Sequence, residues 1–261
     1  MSSISVDHVR LDGKLAVITG GGSGIGEAAA RVFADAGATV VVTGRRLEPL
    51  QRVAKEIGGH AIACDVSDQA QVIDLFAQAK QITGKVDVLL NNAGGPGPIA
   101  CVADVDMKAW VETMNINLVG AMFCLQEAAK IMSEQGSGSI INMSSLMGIQ
   151  GYPMRSAYVA SKFALIGITE TMARELGAVG VRVNALMPGA VSGENMDRIL
   201  ERRSAAEGRP VHEIEKENYT DVAALKRWVT PQEVARAALF YASDLSSAIT
   251  GDKMKVDCGR F

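Results

Sequence analysis

The stretch "LAVITGGGSGIGEAAARVFADAGATVVVTG", residues 15–44, decides the fold. An apolar run, Leu15–Thr19, leads straight into Gly20-Gly21-Gly22-Ser23-Gly24-Ile25-Gly26. Alanine-rich helical sequence follows at once, and a second apolar run begins at Thr39. Strand, glycine turn, helix and strand in this order make a dinucleotide-binding unit. Gly20 lets the chain turn tightly, Gly24 and its neighbours let backbone N–H groups approach a pyrophosphate, and Gly26 lets the helix pack on the sheet. The helix N-terminus adds unpaired N–H groups and partial positive charge.

The same alternation continues along the chain. Strands are predicted at Leu15–Thr19, Thr39–Thr43, Ala61–Cys64, Val86–Leu90, Ser139–Met143, Val181–Leu186 and Lys253–Val256. Helices are predicted at Gly24–Ala36, Leu47–Ile57, Gln69–Ile82, Met107–Gln135, Ser156–Gly177 and Pro231–Ala242. Continuous apolar strands separated by helices imply a doubly wound α/β fold, a parallel sheet covered on both faces. With 261 residues, 48% of them hydrophobic, a single domain over residues 1–261 accounts for the length. Residues 190–228 are charged and not strand-like, and are expected to form a substrate lid.

A formal net charge of -3 without like-charge blocks gives no footprint for nucleic acid. The apolar runs are too short to span a bilayer, and "MSSISVDHVRLDGK" lacks a secretory apolar core, so a soluble cytoplasmic protein is expected. Cys64, Cys101, Cys124 and Cys258 lack CxxC spacing and there are three His, which points away from a metal site.

In "SAYVASKFAL", residues 156–165, Tyr158 and Lys162 lie four apart and share a helix face. A tyrosine can protonate a nascent alkoxide, but its ordinary pKa of about 10 makes the phenolate costly near neutrality. A nearby cation lowers that cost, and Lys162 is placed to supply it.

The spacing Gly-x-x-x-Gly-x-Gly, "NNAG" at residues 91–94, the Ser…Tyr-x-x-x-Lys set and "NALMPG" at residues 184–189 together resemble the short-chain dehydrogenase/reductase family, over about Leu11 to Gly259. The resemblance implies a Rossmann-type sheet of about seven strands, a nicotinamide cofactor, and a homotetramer or homodimer. It assigns the carbonyl-holding hydroxyl to Ser145, thirteen residues before Tyr158, and leaves Ser144 as a structural hydroxyl. It places Asn117 on a water that relays protons from Lys162, and Lys162 itself on the nicotinamide ribose. Cofactor contacts are expected at Gly20, Gly22, Ser23, Gly24, Ile25 and Gly26, at Asp65 and Val66 around the adenine, at Asn92, Ala93 and Gly94, and at Pro188, Gly189 and Val191, besides Tyr158 and Lys162.

The second strand ends "VVVTGRR". An acidic residue there would bond the adenosine ribose and repel a 2′-phosphate. Gly44 takes that place and Arg45 and Arg46 follow, which favours NADP(H) over NAD(H). Ser23, where many NADP-using relatives carry a basic residue, argues the other way. Five residues beyond Pro188, where the family often has Thr, stands Gly193, so Ser192 or a backbone group would anchor the carboxamide.

Gly95–Ala100, Leu146–Arg155 and the lid are expected to line the pocket for a small carbonyl or alcohol substrate, with Ser145, Gln150, Arg155 and Tyr158 in contact. Arg155 or one of the lid's Arg198, Arg202, Arg203 and Arg209 could bind an anionic substrate. The leading reading is an NADPH-dependent ketone reductase, of a 3-oxoacyl thioester among other ketones. The alternatives are an NAD-dependent polyol, sugar or other secondary-alcohol dehydrogenase, and a non-catalytic cofactor-binding regulator.

Overall fold

The fold is a computed structural model that describes residues 6–260; side chains at 6, 7, 195, 202 and 206 also lie outside the description. Seven strands form one sheet: β1 Leu15–Thr19, β2 Thr39–Gly44, β3 His60–Ala63, β4 Val88–Asn91, β5 Gly138–Met143, β6 Val181–Pro188 and β7 Lys253–Val256. Every pairing is parallel, in the order β3-β2-β1-β4-β5-β6-β7. The order reverses between β1 and β4, which opens a crevice outside their C-terminal ends.

Alternating strand residues feed two cores, which is why the strands read as continuous apolar runs. Ala16 and Ile18 of β1 pack with Val40, Val42 and Phe33, while Leu15 and Val17 pack with Val41, Phe76 and Leu125. The first face is covered by α1 Gly24–Asp35, α2 Leu47–Ile57 and α9 Pro231–Ala242. The second is covered by α3 Gln69–Thr83, α5 Gly120–Gln135 and α6 Ser156–Leu176. Local chemistry sets the helix boundaries. Asp68 caps α3 by accepting from Ala70 and Gln71 N–H, and Thr230 and Glu233 cap α9 reciprocally, with Pro231 in the first turn.

The expected helix Met107–Gln135 is not one helix. It is divided into α4 Met107–Met114 and α5 by a π turn over Asn115–Val119, where the Gly120 N–H bonds to the Asn115 carbonyl five residues back. Such an inserted residue rotates the face of a helix locally, and here Asn117 is turned inward and buried. The expected lid is helical, with α7 Glu194–Glu207, α8 Val211–Glu215 and a further π turn over Lys216–Thr220. Val191 and Val229 pair in parallel to close its base, and Leu200 and Ile214 are its buried anchors.

Candidate active site

The floor of the crevice is built by steric necessity. Gly20 (φ +67°) and Gly24 (φ +55°) lie in the left-handed region that favours glycine. A Cβ on Gly26 would lie 2.2 Å from the Gly20 carbonyl oxygen, so no side chain fits there, whereas one on Gly24 would meet open space. Thr19 locks this turn to the end of β4. Its Oγ1 accepts from both Asn92 and Ala93 N–H at 2.9 Å, and Asn92 Nδ2 donates back to the Thr19 carbonyl at 2.9 Å. The Ser23 side chain makes no cap bond to α1, so the helix start keeps its N–H groups available. A turn too tight for Cβ atoms, an uncapped helix start and an open Gly24 fit a dinucleotide pyrophosphate.

At the far end of the crevice Arg45 and Arg46 are exposed, and among the described residues neither forms an ion pair. Asp65 is half-buried; its Oδ1 accepts from Ser67 N–H and Oγ, leaving the second oxygen uncommitted. Val66 is buried against Gly120.

The reacting centre converges from three elements. β5 ends at Met143, and Ser145 caps the 3-10 turn Leu146–Gly148 by accepting from Met147 N–H at 3.1 Å. Tyr158 lies in the first turn of α6, with the Ser145 side chain beside its phenol. Burial raises the Tyr158 phenol above its ordinary pKa, while the Ser145 hydroxyl and the Arg155 charge work against that rise. Lys162, one turn on, is buried, with Nζ 5.4 Å from the Tyr158 ring centroid and donating to the Met143 carbonyl at 2.7 Å. Burial pushes its pKa down to about 8. Ser144 is structural, as expected: its hydroxyl donates to the Lys162 carbonyl at 2.9 Å.

Asn117 is in the same cluster, but its amide already has partners. Gly95 N–H donates to Oδ1 at 2.8 Å, and Nδ2 donates to the Gly95 carbonyl at 2.9 Å and lies 3.3 Å from Ser161 Oγ. Asn117 therefore holds the loop behind β4. A Cβ on Gly94 would sit 3.1 Å from Asn117 Oδ1 and 3.7 Å from Lys162 Nζ, so this glycine lets the loop pass close to the lysine. Sequence reasoning missed Thr19, Ser161 and the Met143 carbonyl. Single hydroxyls and backbone carbonyls carry no spacing signal.

On the opposite rim, Pro188 ends β6, and Gly189 N–H donates to the Val256 carbonyl at 3.0 Å. Val191 pairs with Val229 in the lid's base, and Ser192 Oγ donates to the Val229 carbonyl at 3.3 Å, which leaves its oxygen open as an acceptor. Gln150 is exposed in the loop before α6. The described lid arginines are engaged with carboxylates: Arg198 with Glu194, Arg203 with Glu207, and Arg209 with Glu207, Glu213 and Glu217. The Arg202 side chain lies outside the described ones. The cleft under α7 and α8 is lined by Asp197, Glu201, Glu215, Leu200 and Trp228, a face that offers an anion nothing.

A parallel sheet with a glycine cradle at its switch point, and a Ser-Tyr-Lys cluster beside it, define a nicotinamide-dependent oxidoreductase of alcohols and ketones. A family model described as enoyl-(acyl carrier protein) reductase matches residues 20–260. The chain is 35% identical to the 3-oxoacyl-(acyl-carrier-protein) reductase FabG of Thermotoga maritima, over 96% of this chain and 99% of that protein. It is 34% identical to D-threitol dehydrogenase of Mycolicibacterium smegmatis, over 98% and 96%. The crystal structure of an NAD+-bound xylitol dehydrogenase superposes with a TM-score of 0.90 at 29% identity, over 95% of this chain and 99% of that one. The chain belongs to the short-chain dehydrogenase/reductase family, and its seven-stranded Rossmann-type sheet is the one expected from the sequence.

Proposed function

We propose that this protein is an NADPH-dependent reductase of a small uncharged ketone, with Tyr158 as the proton donor. The convergence of Ser145, Tyr158 and buried Lys162, whose Nζ lies 5.4 Å from the Tyr158 ring centroid, carries the reading. The bound nicotinamide supplies the hydride. Ser145 holds the carbonyl oxygen, Tyr158 delivers its phenolic proton to that oxygen as it becomes an alkoxide, and the Lys162 charge steadies the phenolate left behind. Lys162 would also bond the nicotinamide ribose, and Asn117, whose amide is held by Gly95 and Ser161, would order a water beside it through its backbone. The glycine turn, Asp65, Val66, Asn92–Gly94, Pro188, Gly189 and Val191 hold the rest of the cofactor. Gln150 meets the substrate from the open loop.

Arg45 and Arg46, exposed and without ion pairs, support a 2′-phosphate partner. The paired lid arginines support an uncharged substrate. A second reading, oxidation of a polyol with NAD, draws support from the same pairing of the described lid arginines and from the NAD+-bound xylitol dehydrogenase neighbour. Exposed apolar side chains at Met107, Val111, Val119, Met122 and Phe163, along α4 to α6, support a homotetramer, or a homodimer.

A panel of ketones and secondary alcohols run with both cofactors tests this: turnover of neutral ketones with NADPH is expected, and none on either class would overturn it. Arg45→Ala is expected to weaken NADPH about ten-fold and NADH little. Equal losses in titrations of the two cofactors would remove the phosphate assignment.

A further inference from the structure

The structure sets a second cation against the acid. Arg155, immediately before α6, holds its guanidinium carbon 5.0 Å from the Tyr158 ring centroid, comparable to the 5.4 Å of Lys162 Nζ. It is fixed there from two sides. Met154, in the left-handed region at φ +63°, accepts from Ala100 N–H, and Arg155 Nη2 donates to the Pro96 carbonyl at 3.0 Å. Its Nε is buried and has no hydrogen-bond partner among the described residues, so on that side the half-buried guanidinium meets its neighbour rather than water.

We propose that Arg155 is a positioning residue of the reaction: its guanidinium steadies the ionised Tyr158 hydroxyl and ties the start of α6 to the loop behind β4. This rests on Tyr158 being the proton donor. The two cations then divide the pH range. Lys162, with its pKa pushed down to about 8, loses charge as the solution turns alkaline, whereas a guanidinium keeps its own. Ser145, at the end of β5, acts on the phenol as a neutral group, and Lys108 and Glu112 on the adjoining α4 are exposed. This role stands beside the expected substrate contact of Arg155, whose side chain is half-buried.

The test is an ultraviolet phenolate titration of the cofactor-free protein. Subtracting the Tyr158→Phe curve isolates one of the four tyrosines. In Arg155→Met the Tyr158 phenol is expected to ionise about one unit higher, a ten-fold loss of phenolate at a given pH, with much of the shift restored in Arg155→Lys. Should Arg155→Met not fold, Arg155→Gln, which keeps a donor toward Pro96, carries the comparison. An unmoved titration, or an equal shift in the lysine variant, would overturn the proposal. The titration needs no turnover. Full activity in Tyr158→Phe would instead defeat the reading of Tyr158 as the acid, and the two failures are distinguishable.

Discussion

The crevice floor and the lid face each other across the substrate space and are built on opposite terms. In the floor, polar atoms are committed to backbone: Asn92 to Thr19, Asn117 to Gly95, Lys162 to Met143, Ser144 to Lys162. These bonds cross between elements distant in sequence, and at Gly20 and Gly26 there is no volume for a side chain. In the lid, charge is satisfied locally. Arg203 and Glu207 pair within one turn of α7, and Arg209, in the loop before α8, pairs with Glu213 four residues on. The floor therefore tolerates little change, and chemistry depends on it. The lid can change its surface without disturbing the sheet, which suits the part of the molecule that selects the substrate.

The sharpest way to break this contrast is Tyr158→Phe, which removes the proposed proton donor and leaves the ring. Turnover is expected to fall roughly a thousand-fold with cofactor affinity kept, as kcat and cofactor titration would register. Comparable turnover would mean the floor is not where the proton comes from. Next in size is Gly26→Ala. With its Cβ 2.2 Å from a backbone oxygen, the variant is expected to lose about 3 kcal/mol of stability and most cofactor binding, read by thermal melts and by titration.

Lys162→Met separates stability from function. A lysine whose folded pKa is about 8, against 10.5 for the free side chain, binds fewer protons folded than unfolded between those values, so its cost to stability is present below about pH 8 and fades as pH rises toward 10.5. The variant should lose turnover yet be more stable at pH 7, by about 2 kcal/mol after the lost Met143 bond, and the gain should shrink at alkaline pH. A gain that is constant with pH would show that burial does not depress this lysine. The smallest effect is expected in the lid. Arg209→Ala removes a half-exposed partner of three glutamates and should move Tm by about a degree at most, with kcat retained and substrate KM altered. A large drop in Tm would mean that the lid is as tightly coupled to the fold as the floor is.

Much of this was legible in residue order. Local patterning placed β1, α2, α9 and β7 at their observed bounds, because strand and helix periods are properties of a few consecutive residues. The Tyr158–Lys162 pair was legible for the same reason, since one helical turn relates the two. The break in the long helix at Asn115–Val119 was not, because it depends on Asn117 finding Gly95 and Ser161, partners 22 and 44 residues away. Nor was the fate of the lid arginines, whose glutamate partners had to be brought alongside before their charges could be seen as spent.

By itself, then, the sequence determined the doubly wound sheet, the glycine cradle and the chemical kinds of Ser145, Tyr158 and Lys162, all of them written in local spacing. Only the tertiary structure decided what surrounds them: Thr19 clamping the turn, burial pushing Lys162 down to about 8, and Arg155 folded over the acid. Burial and the field of a neighbouring charge depend on distances through space, and those distances exist only once the chain has closed on itself.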